Sequence, residues 1–328
     1  MATKVVLGVD IGGTKVAAGL VNASGEILHS ARVPMNVNSS ASAAMDCVHR
    51  AIQEVLGHNG MTASAIGVSS PGPLDPIDGL VLHAPNLPCW KNFPLRSEIQ
   101  RTYGIPTRID NDANAAGLAE ALWGAGKDCK YVLYLTIGTG IGTAMILERH
   151  IYYGRTGAAA EGGHMTIDYR GAVRCGCGKR GCVEGLASGP AIAATARERA
   201  TNDLSAGAGM LTLVGGNAAA ITAKTTFQAW SKGDPLATQI LDDVSNVLAV
   251  WFGNLIDMFE PDAIVMGGGV GTSLQPFFAR IREGSRAWSV NPRAGEIPVL
   301  LAHYGVDAGL AGSAALWLNE HAAGQAGA

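Results

Sequence analysis

The chain has 328 residues, of which 48% are hydrophobic and 16% are charged, and its formal net charge is -3. This length is well above the roughly 150 residues of a typical domain, so it predicts two domains or one bilobed unit. The small net charge excludes a broad basic surface for nucleic acid. The sequence contains no apolar signal region and no membrane-length apolar span, so we expect a soluble, cytoplasmic protein with no membrane partner.

The first part of the chain alternates predicted strands with amphipathic helices. Apolar residues in short runs indicate strands, and apolar positions three and four residues apart indicate helices. In chain order, the predicted elements are strands at Lys4 to Asp10, Lys15 to Val21 and Glu26 to Val33, a helix at Ser42 to Leu56, strands at Ala65 to Val68 and Ile105 to Ile109, and a helix at Ala113 to Trp123.

The second part opens in the same way and then becomes mainly helical. Three strands are predicted first: Lys130 to Thr136, a second that follows the glycine turn and ends at Leu147, and His150 to Tyr153. They are followed by helices at Gly189 to Thr201, Thr222 to Ser231 and Asp234 to Phe259, strands at Ala263 to Met266 and Val299 to Tyr304, and a helix at Ala308 to Glu320. Between the helices, the glycine- and alanine-rich stretch from Ala206 to Ala220 is predicted to be a mobile loop, and His321 to Ala328 are predicted to fray.

The two strand meanders repeat at an offset of about 126 residues, which predicts two related α/β lobes with a ligand between their first turns. Both of these turns are glycine-rich and offer backbone N–H groups and hydroxyls to phosphate oxygens. A single turn of this kind is weak evidence, because tight hairpins also need glycine and neither turn matches a P-loop or a dinucleotide fingerprint. The two turns together favour binding of a nucleoside triphosphate, and Asp10 is placed to hold Mg²⁺. The residues concerned are Asp10, Gly12, Gly13, Thr14 and Lys15 in the first turn, and Thr136, Gly138, Thr139 and Gly140 in the second.

A polar run from Asp110 to Asn114 lies where a predicted strand gives way to a helix. Asp112 falls at the start of that helix, where an aspartate usually serves as an N-cap. Several neighbouring side chains compete for that cap, however, and polar groups at the carboxyl end of a strand commonly line a ligand site. The helix dipole favours the ionised carboxylate, so Asp112 is predicted to be a general base that accepts a hydroxyl proton.

Two proline-containing segments, Ser69 to Leu74 and Ala84 to Trp90, are either plain turns or parts of a sugar site. Carboxylates, amides and an imidazole suit the hydroxyl groups of a hexose. Trp90 suits core packing as well as stacking on a ligand. The predicted substrate-binding residues are Gly72, Asn86, Asn111, Asp112, Glu161, His164 and Glu184.

Three of the six cysteines lie within eight residues, at Cys175, Cys177 and Cys182, with His164 eleven residues upstream. In a reducing compartment such a cluster indicates a metal site rather than disulfides. Four ligands would close a tetrahedral zinc site with no position for water, so the zinc ion is predicted to be structural. The other cysteines, Cys47, Cys89 and Cys129, are predicted to be small buried hydrophobes.

These motifs together resemble the ROK family of repressors and sugar kinases, and within it the bacterial ATP-dependent glucokinases. The similar segments are Asp10 to Lys15, Ser70 to Pro73, Asn111 to Ala116, Thr136 to Gly142, Glu161 to Thr166, Cys175 to Glu184 and Asp307 to Leu316. The resemblance implies a two-lobed actin-like ATPase fold of the ribonuclease H-like class, with duplicated lobes closing over sugar and ATP. It implies an N-terminal lobe of residues 1–118, a larger lobe of residues 119–311 that carries the zinc loop, and a C-terminal helix, about 312–328, that packs back on the first lobe.

The resemblance also implies roles for individual residues. Asp112 would be the base, and Asn111 would bind the sugar together with Glu161, His164 and Glu184. The histidine would serve zinc through one ring nitrogen and the sugar through the other. Residues Gly267, Gly268 and Gly269 would lie near the adenosine. One departure is the pair Gly162-Gly163 after Glu161, where an apolar residue followed by a single glycine is expected; it predicts a looser wall and leaves the sugar preference open.

The predicted reaction is therefore ATP- and Mg²⁺-dependent phosphorylation of a hexose, with glucose to glucose 6-phosphate first. The alternatives are a kinase for N-acetylglucosamine, N-acetylmannosamine or fructose, a ROK-type sugar sensor without catalysis, and an actin-like or chaperone ATPase. The sensor alternative is disfavoured by the position of the first glycine turn, which begins at Asp10. The actin-like or chaperone ATPase alternative does not account for the zinc loop. The resemblance to this family also implies that the protein forms a homodimer or a homotetramer.

Overall fold

In the computed structural model, which describes residues 5–35, 40–57, 62–84 and 86–319, the N-terminal meander begins a five-stranded sheet. The elements of this part are β1 (Val6–Ile11), β2 (Lys15–Val21), β3 (Ile27–Pro34), α1 (Ala41–Leu56), β4 (Ala65–Ser70), β5 (Leu74–Asp75), β6 (Leu80–His83), β7 (Lys91–Phe93), α2 (Leu95–Tyr103), β8 (Thr107–Asn111) and α3 (Asp112–Leu122). The strand order is β3-β2-β1-β4-β8, with an antiparallel meander followed by parallel strands. Strands β5, β6 and β7 form a separate small sheet.

The second meander begins another five-stranded sheet with the same pattern. The elements are β9 (Tyr131–Ile137), β10 (Ile141–Leu147), β11 (His150–Ile151), α4 (Val183–Ala187), α5 (Gly189–Asn202), α6 (Ala208–Leu213), α7 (Ala223–Ser231), α8 (Pro235–Phe259), β12 (Ala263–Gly267), α9 (Gly269–Ser273), α10 (Phe278–Ser285), β13 (Val299–Leu301) and α11 (Ala308–Leu318). The order β11-β10-β9-β12-β13 matches that of the first sheet position by position, which confirms the predicted internal repeat. Across the described residues, no helix combines the length and apolar character that a bilayer crossing requires.

Residue contacts divide the chain into two compact units. The first comprises residues 1–134, 144–160 and 303–328, and the second comprises residues 135–143 and 161–302. The predicted lobe boundaries at residues 118 and 311 stay predictions. Within the first unit, helix α11 contacts β1, β4 and α3.

The first sheet is covered on both faces by helices. Helix α1 begins after Ser40, whose hydroxyl accepts the Ala43 N–H, and it contacts β2 and β3 through a buried apolar face. Helix α11 packs so closely that a Cβ at Gly67 would lie 1.7 Å from the Ser313 carbonyl oxygen. Glycine is therefore required at this strand position for the helix to reach the sheet.

The stretch from Ala206 to Ala220 is not the loop that its composition predicted. Residues Ala208–Leu213 form helix α6, Met210 is fully buried, and Ala218–Ala220 form a 3-10 turn. Alanine and leucine have high helix propensity, and one buried anchor is enough to hold a short helix against α5 and α7. The predicted end of the last helix at Glu320 and the tail from His321 to Ala328 lie outside the described residues.

Candidate active site and metal centre

The first glycine turn joins β1 to β2. The Gly12 N–H donates to the Lys15 carbonyl at 2.9 Å, while the side chains of Thr14 and Lys15 are exposed. A Cβ at Gly13 would lie 3.0 Å from the Asn86 carbonyl oxygen, so the loop that carries Asn86 sits directly against this turn. The structure thus brings together a predicted phosphate turn and a predicted sugar residue within the first unit.

Asp10, at the end of β1, is held by a network of hydroxyl groups. Ser69 donates to Asp10 Oδ1 at 2.7 Å, and Ser313 of α11 donates at 2.9 Å to Ser69 Oγ. Burial raises the pKa of the Asp10 carboxyl, and the Ser69 hydrogen bond with nearby Lys15 and Arg32 opposes that rise. A Cβ at Gly309 would lie 2.4 Å from Asp10 Cγ, so this carboxylate also rests on the first turn of α11.

The corner between β8 and α3 presents Asn111 and Asp112. Asn111 is the N-cap, because its Oδ1 accepts from Ala113 N at 2.9 Å and from Asn114 N at 3.4 Å. Asp112 is the first helical residue and is exposed, with Oδ1 accepting from Ala113 N at 2.8 Å. The cap is therefore supplied by Asn111, and the Asp112 carboxylate stands exposed at the positive end of the helix.

Gly72 and Asp110 surround this corner. A Cβ at Gly72 would lie 3.1 Å from Asn111 Nδ2, which places Gly72 beside the predicted sugar ligand. Asp110 is buried and accepts from Asn111 N at 2.7 Å, from Asn114 Nδ2 at 3.0 Å and from the Tyr153 hydroxyl at 2.5 Å. Burial raises the pKa of Asp110, while these three hydrogen bonds oppose the rise.

In the second unit, three glycine segments converge on the second predicted phosphate turn. Gly138 N donates to Gly140 O at 2.9 Å, and Gly189 at the start of α5 donates to Gly138 O at 2.8 Å. Gly268 has a φ of 81°, and a Cβ there would lie 2.4 Å from the Ile137 carbonyl oxygen. The run from Gly267 to Gly269 therefore lies against the turn from Thr136 to Gly140.

Glu184 connects this turn to the cysteine loop. Its Oε2 accepts from Ile141 N at 2.9 Å, and its Oε1 lies 3.2 Å from Cys175 Sγ and 3.9 Å from His164 Nδ1. Glu161 is exposed at the start of the 3-10 turn Gly162–His164. The glycine pair after Glu161 is closely packed, because Gly162 N donates to Thr143 Oγ1 at 2.8 Å and a Cβ at Gly163 would lie 1.9 Å from the Ile141 carbonyl oxygen.

The four predicted zinc ligands do come together. The ligand atoms of His164, Cys175, Cys177 and Cys182 all lie within 4.8 Å of one another. Cys177 Sγ is 3.7 Å from Cys182 Sγ, and Cys175 Sγ is 3.6 Å from His164 Nδ1. A tetrahedral zinc ion with Zn–S bonds of about 2.3 Å places its sulfur ligands about 3.8 Å apart, close to the 3.7 Å between Cys177 and Cys182, so this donor set suits such an ion.

The three cysteines outside the cluster fit their predicted packing role to different extents. Cys47 is buried, whereas Cys89 and Cys129 are only partly buried. Trp90 belongs to the core, since it is fully buried and stacks on Phe93 at 4.8 Å. Stacking of Trp90 on a sugar is therefore excluded in this structure.

Comparison with known proteins identifies the family of this chain. Residues 6–320 match the ROK family. The chain is 33% identical to a glucokinase of Thermotoga maritima over 95% of its length and 96% of the relative, and 32% identical to an N-acetylmannosamine kinase of Escherichia coli over 96% and 98%. A ROK family glucokinase from Streptomyces griseus, solved in complex with glucose and AMPPNP, is 34% identical with a TM-score of 0.81, covering 95% of this chain and 98% of that one.

The duplicated sheets and these structural neighbours define the class: the fold is the two-lobed actin-like ATPase fold of ROK sugar kinases, as predicted. The match across almost the whole chain makes the assignment more specific. The chain belongs to the ROK family.

Proposed function

We propose that this protein is an ATP-dependent sugar kinase that converts glucose to glucose 6-phosphate. The observation that carries the proposal is the exposed Asp112 carboxylate at the start of α3, beside Asn111, which takes over the cap. The similarity to the Streptomyces griseus glucokinase with bound glucose and AMPPNP supports both substrates. Asp112 accepts the proton of the sugar 6-hydroxyl as that oxygen forms its bond to the γ-phosphorus; the bond from this phosphorus to the bridging oxygen breaks, and ADP leaves.

The proposed sugar contacts are Gly72, Asn86, Asn111, Glu161, His164 and Glu184. His164 Nδ1 faces Cys175 Sγ, so in this proposal Nδ1 binds zinc and Nε2 is the nitrogen that meets a sugar hydroxyl. The carboxylates in this set supply acceptors, and the amides supply both donors and acceptors, for neighbouring hydroxyl groups.

The two glycine turns are proposed to bind the phosphates of ATP, and the segment Gly267 to Gly269 to lie near its adenosine. Asp10 is proposed to hold Mg²⁺, which would supply positive charge to the phosphate groups during transfer. The zinc ion is proposed to be structural, held by His164 and the three clustered cysteines. We further propose that the protein acts in the cytoplasm as a homodimer or homotetramer on small molecules and not on nucleic acid.

A panel of sugars tests the proposal. Purified protein is assayed for ADP release with MgATP and each of glucose, N-acetylmannosamine, N-acetylglucosamine, fructose and mannose. We expect the highest kcat/KM with glucose. The similarity to an N-acetylmannosamine kinase makes that sugar the main competitor, and a higher kcat/KM for it would replace the proposed substrate. ATP hydrolysis that no sugar stimulates would contradict the kinase assignment altogether.

The variant Gly309→Ala tests the proposed role of Asp10. A Cβ at this position would lie 2.4 Å, 2.5 Å and 2.7 Å from Cγ, Oδ1 and Oδ2 of Asp10, so the carboxylate must leave its place. We expect the KM for MgATP to rise by about 10-fold, the loss of one metal-coordinating contact. Sugar affinity measured without nucleotide serves as the internal control and should not change. An unaltered KM for MgATP would show that Asp10 does not hold the metal.

A further inference from the structure

A cavity of about 490 Å³ lies within the first unit, and none of the residues proposed to bind ATP or sugar lines it. It is bounded by strand β8, helix α3, the segment after β11 and the end of helix α11. Its volume falls in the range of small-molecule sites, roughly 300 to 1,000 Å³. A free phosphate or sulfate ion would leave most of this space empty.

The lining of the cavity is positively charged. Arg96, Arg108 and Arg155 contribute to it, against one carboxylate, Asp110. Within the described ranges, none of these three arginines forms an ion pair with a carboxylate. Asp110 is one carboxylate against three guanidinium groups, so the lining keeps an excess of positive charge. A cavity with unpaired guanidinium groups favours an anion, and a guanidinium binds a carboxylate or a phosphate through paired hydrogen bonds.

Two of the arginines are held in place by the protein. Arg96 donates to the carbonyl oxygens of Ile77 and Asp78 at 2.8 Å and 3.0 Å. Arg108 donates to the Leu316 carbonyl at 2.7 Å, and its guanidinium carbon lies 4.1 Å from the centre of the Trp317 ring. These contacts orient the charge of both groups without cancelling it, which is the preorganisation that a ligand site needs.

The interior side of the cavity is apolar. Ile109, Leu118 and Leu316 line it and are almost completely buried, with exposed fractions of 3%, 1% and 4%. We infer that this cavity is a binding site for a small organic anion, a phosphate ester or a carboxylate whose carbon skeleton fills the apolar side. It is distinct from the proposed catalytic site.

The occupant would also be sensed at the proposed catalytic corner. Tyr153 lines the cavity, and its hydroxyl donates to Asp110, which in turn accepts from the backbone N–H of Asn111. Burial and the adjacent Asp110 carboxylate raise the pKa of Tyr153 far above its usual value, so this hydroxyl keeps its proton and its donor role. A ligand that moves Tyr153 therefore alters the support of the residue preceding Asp112.

Calorimetric titration tests the site. The protein is first saturated with AMPPNP, Mg²⁺ and glucose, which occupy the proposed catalytic site, and is then titrated with glucose 6-phosphate, phosphoenolpyruvate, citrate or inorganic phosphate. We expect at least one organic anion to bind more tightly than inorganic phosphate. Comparison of glucose 6-phosphate, a phosphate ester, with citrate, a carboxylate, shows which of the two anionic groups the site prefers.

The exposed Arg155 offers the variant with the least effect on folding. Arg155→Gln and Arg155→Glu should raise the Kd of that anion about 10-fold or more, the loss of one hydrogen bond to a charged group. Arg50→Gln, at an exposed position on α1 that does not line the cavity, should leave the Kd unchanged. Absence of binding by every probe, or binding that Arg155→Glu does not weaken, would overturn the inference.

A kinetic measurement tests the sensing step, and this arm alone rests on the proposed function. The bound anion should change the KM for glucose by about 5-fold or more, the usual size of coupling between two sites. Tyr153→Phe should keep the calorimetric Kd within error and abolish that change, because it removes only the hydroxyl that reaches Asp110. Binding without any kinetic effect in the unsubstituted protein would overturn the sensing step, and an inactive protein that still binds the anion would contradict the proposed function instead.

Discussion

Asp112→Asn lowers kcat for glucose phosphorylation by about 10³-fold in our expectation, within the range that a positioned general base contributes. The amide cannot accept the proton of the sugar hydroxyl, although it fills the same space. The fold should survive, because the cap of helix α3 is supplied by Asn111 and not by Asp112. Steady-state kinetics with glucose and MgATP, together with thermal unfolding, measure both effects.

The matched control is Asp46→Asn. Asp46 is an exposed aspartate on helix α1 and belongs to none of the proposed binding segments, so its substitution should change neither kcat nor the melting temperature. Glucose affinity in the Asp112 variant should fall much less than kcat, because the other proposed sugar contacts are unchanged. A variant with unchanged kcat would remove Asp112 from the mechanism.

Cys177→Ser should abolish the proposed zinc binding and much of the sugar affinity at the same time. Cys177 is the exposed member of the cluster, so the substitution opens no cavity in a core and its effect is due to the lost ligand. The loop would then lack the proposed metal that links His164 to Cys175, and the KM for glucose should rise by about 10-fold or more. Metal content by mass spectrometry and kinetics on the same samples measure the two losses together.

Cys129→Ser is the control for this experiment, since Cys129 is a partly buried cysteine in the first unit, outside the cluster. It should retain one equivalent of zinc and the original KM. Chelation of the unsubstituted protein should reproduce the effect of Cys177→Ser, and readdition of zinc should reverse it. Normal glucose affinity in a metal-free sample would show that this wall of the site needs no metal.

Local patterns in the sequence were sufficient for the strands of the two five-stranded sheets, the repeat and the metal cluster, but not for the short strands β5, β6 and β7 of the small sheet. The spacing of Cys175, Cys177 and Cys182 is a short-range signal, because a tight turn within eight residues leaves few ways to separate the thiols. Strand β2 was predicted with its observed ends, Lys15–Val21, because glycine turns bound it on both sides. Helices α2, α4, α9 and α10 were missed, since each has nine residues or fewer and α4 follows the cysteine loop directly.

The long-range hydrogen bonds that hold the proposed site residues in place could not be predicted from local patterns. Tyr153 reaches Asp110 across 43 positions of sequence, and Ser313 reaches Ser69 across 244. No periodicity or spacing relates such partners, because they meet only after the strands and helices have packed. The one available signal was the density of polar residues from Asp110 to Asn114, which is unusual at the end of a buried strand.

The position of the Glu184 carboxylate affects how substrate affinities should be measured. Its two oxygens have separate partners, the Ile141 N–H beside the second glycine turn and the cluster of Cys175 with His164. A carboxylate is a rigid plane, so a sugar that rotates one oxygen must also shift the other. Sugar and nucleotide should therefore show binding synergy, with each altering the dissociation constant of the other by the same factor. Affinities determined for either substrate alone would then understate those of the ternary complex.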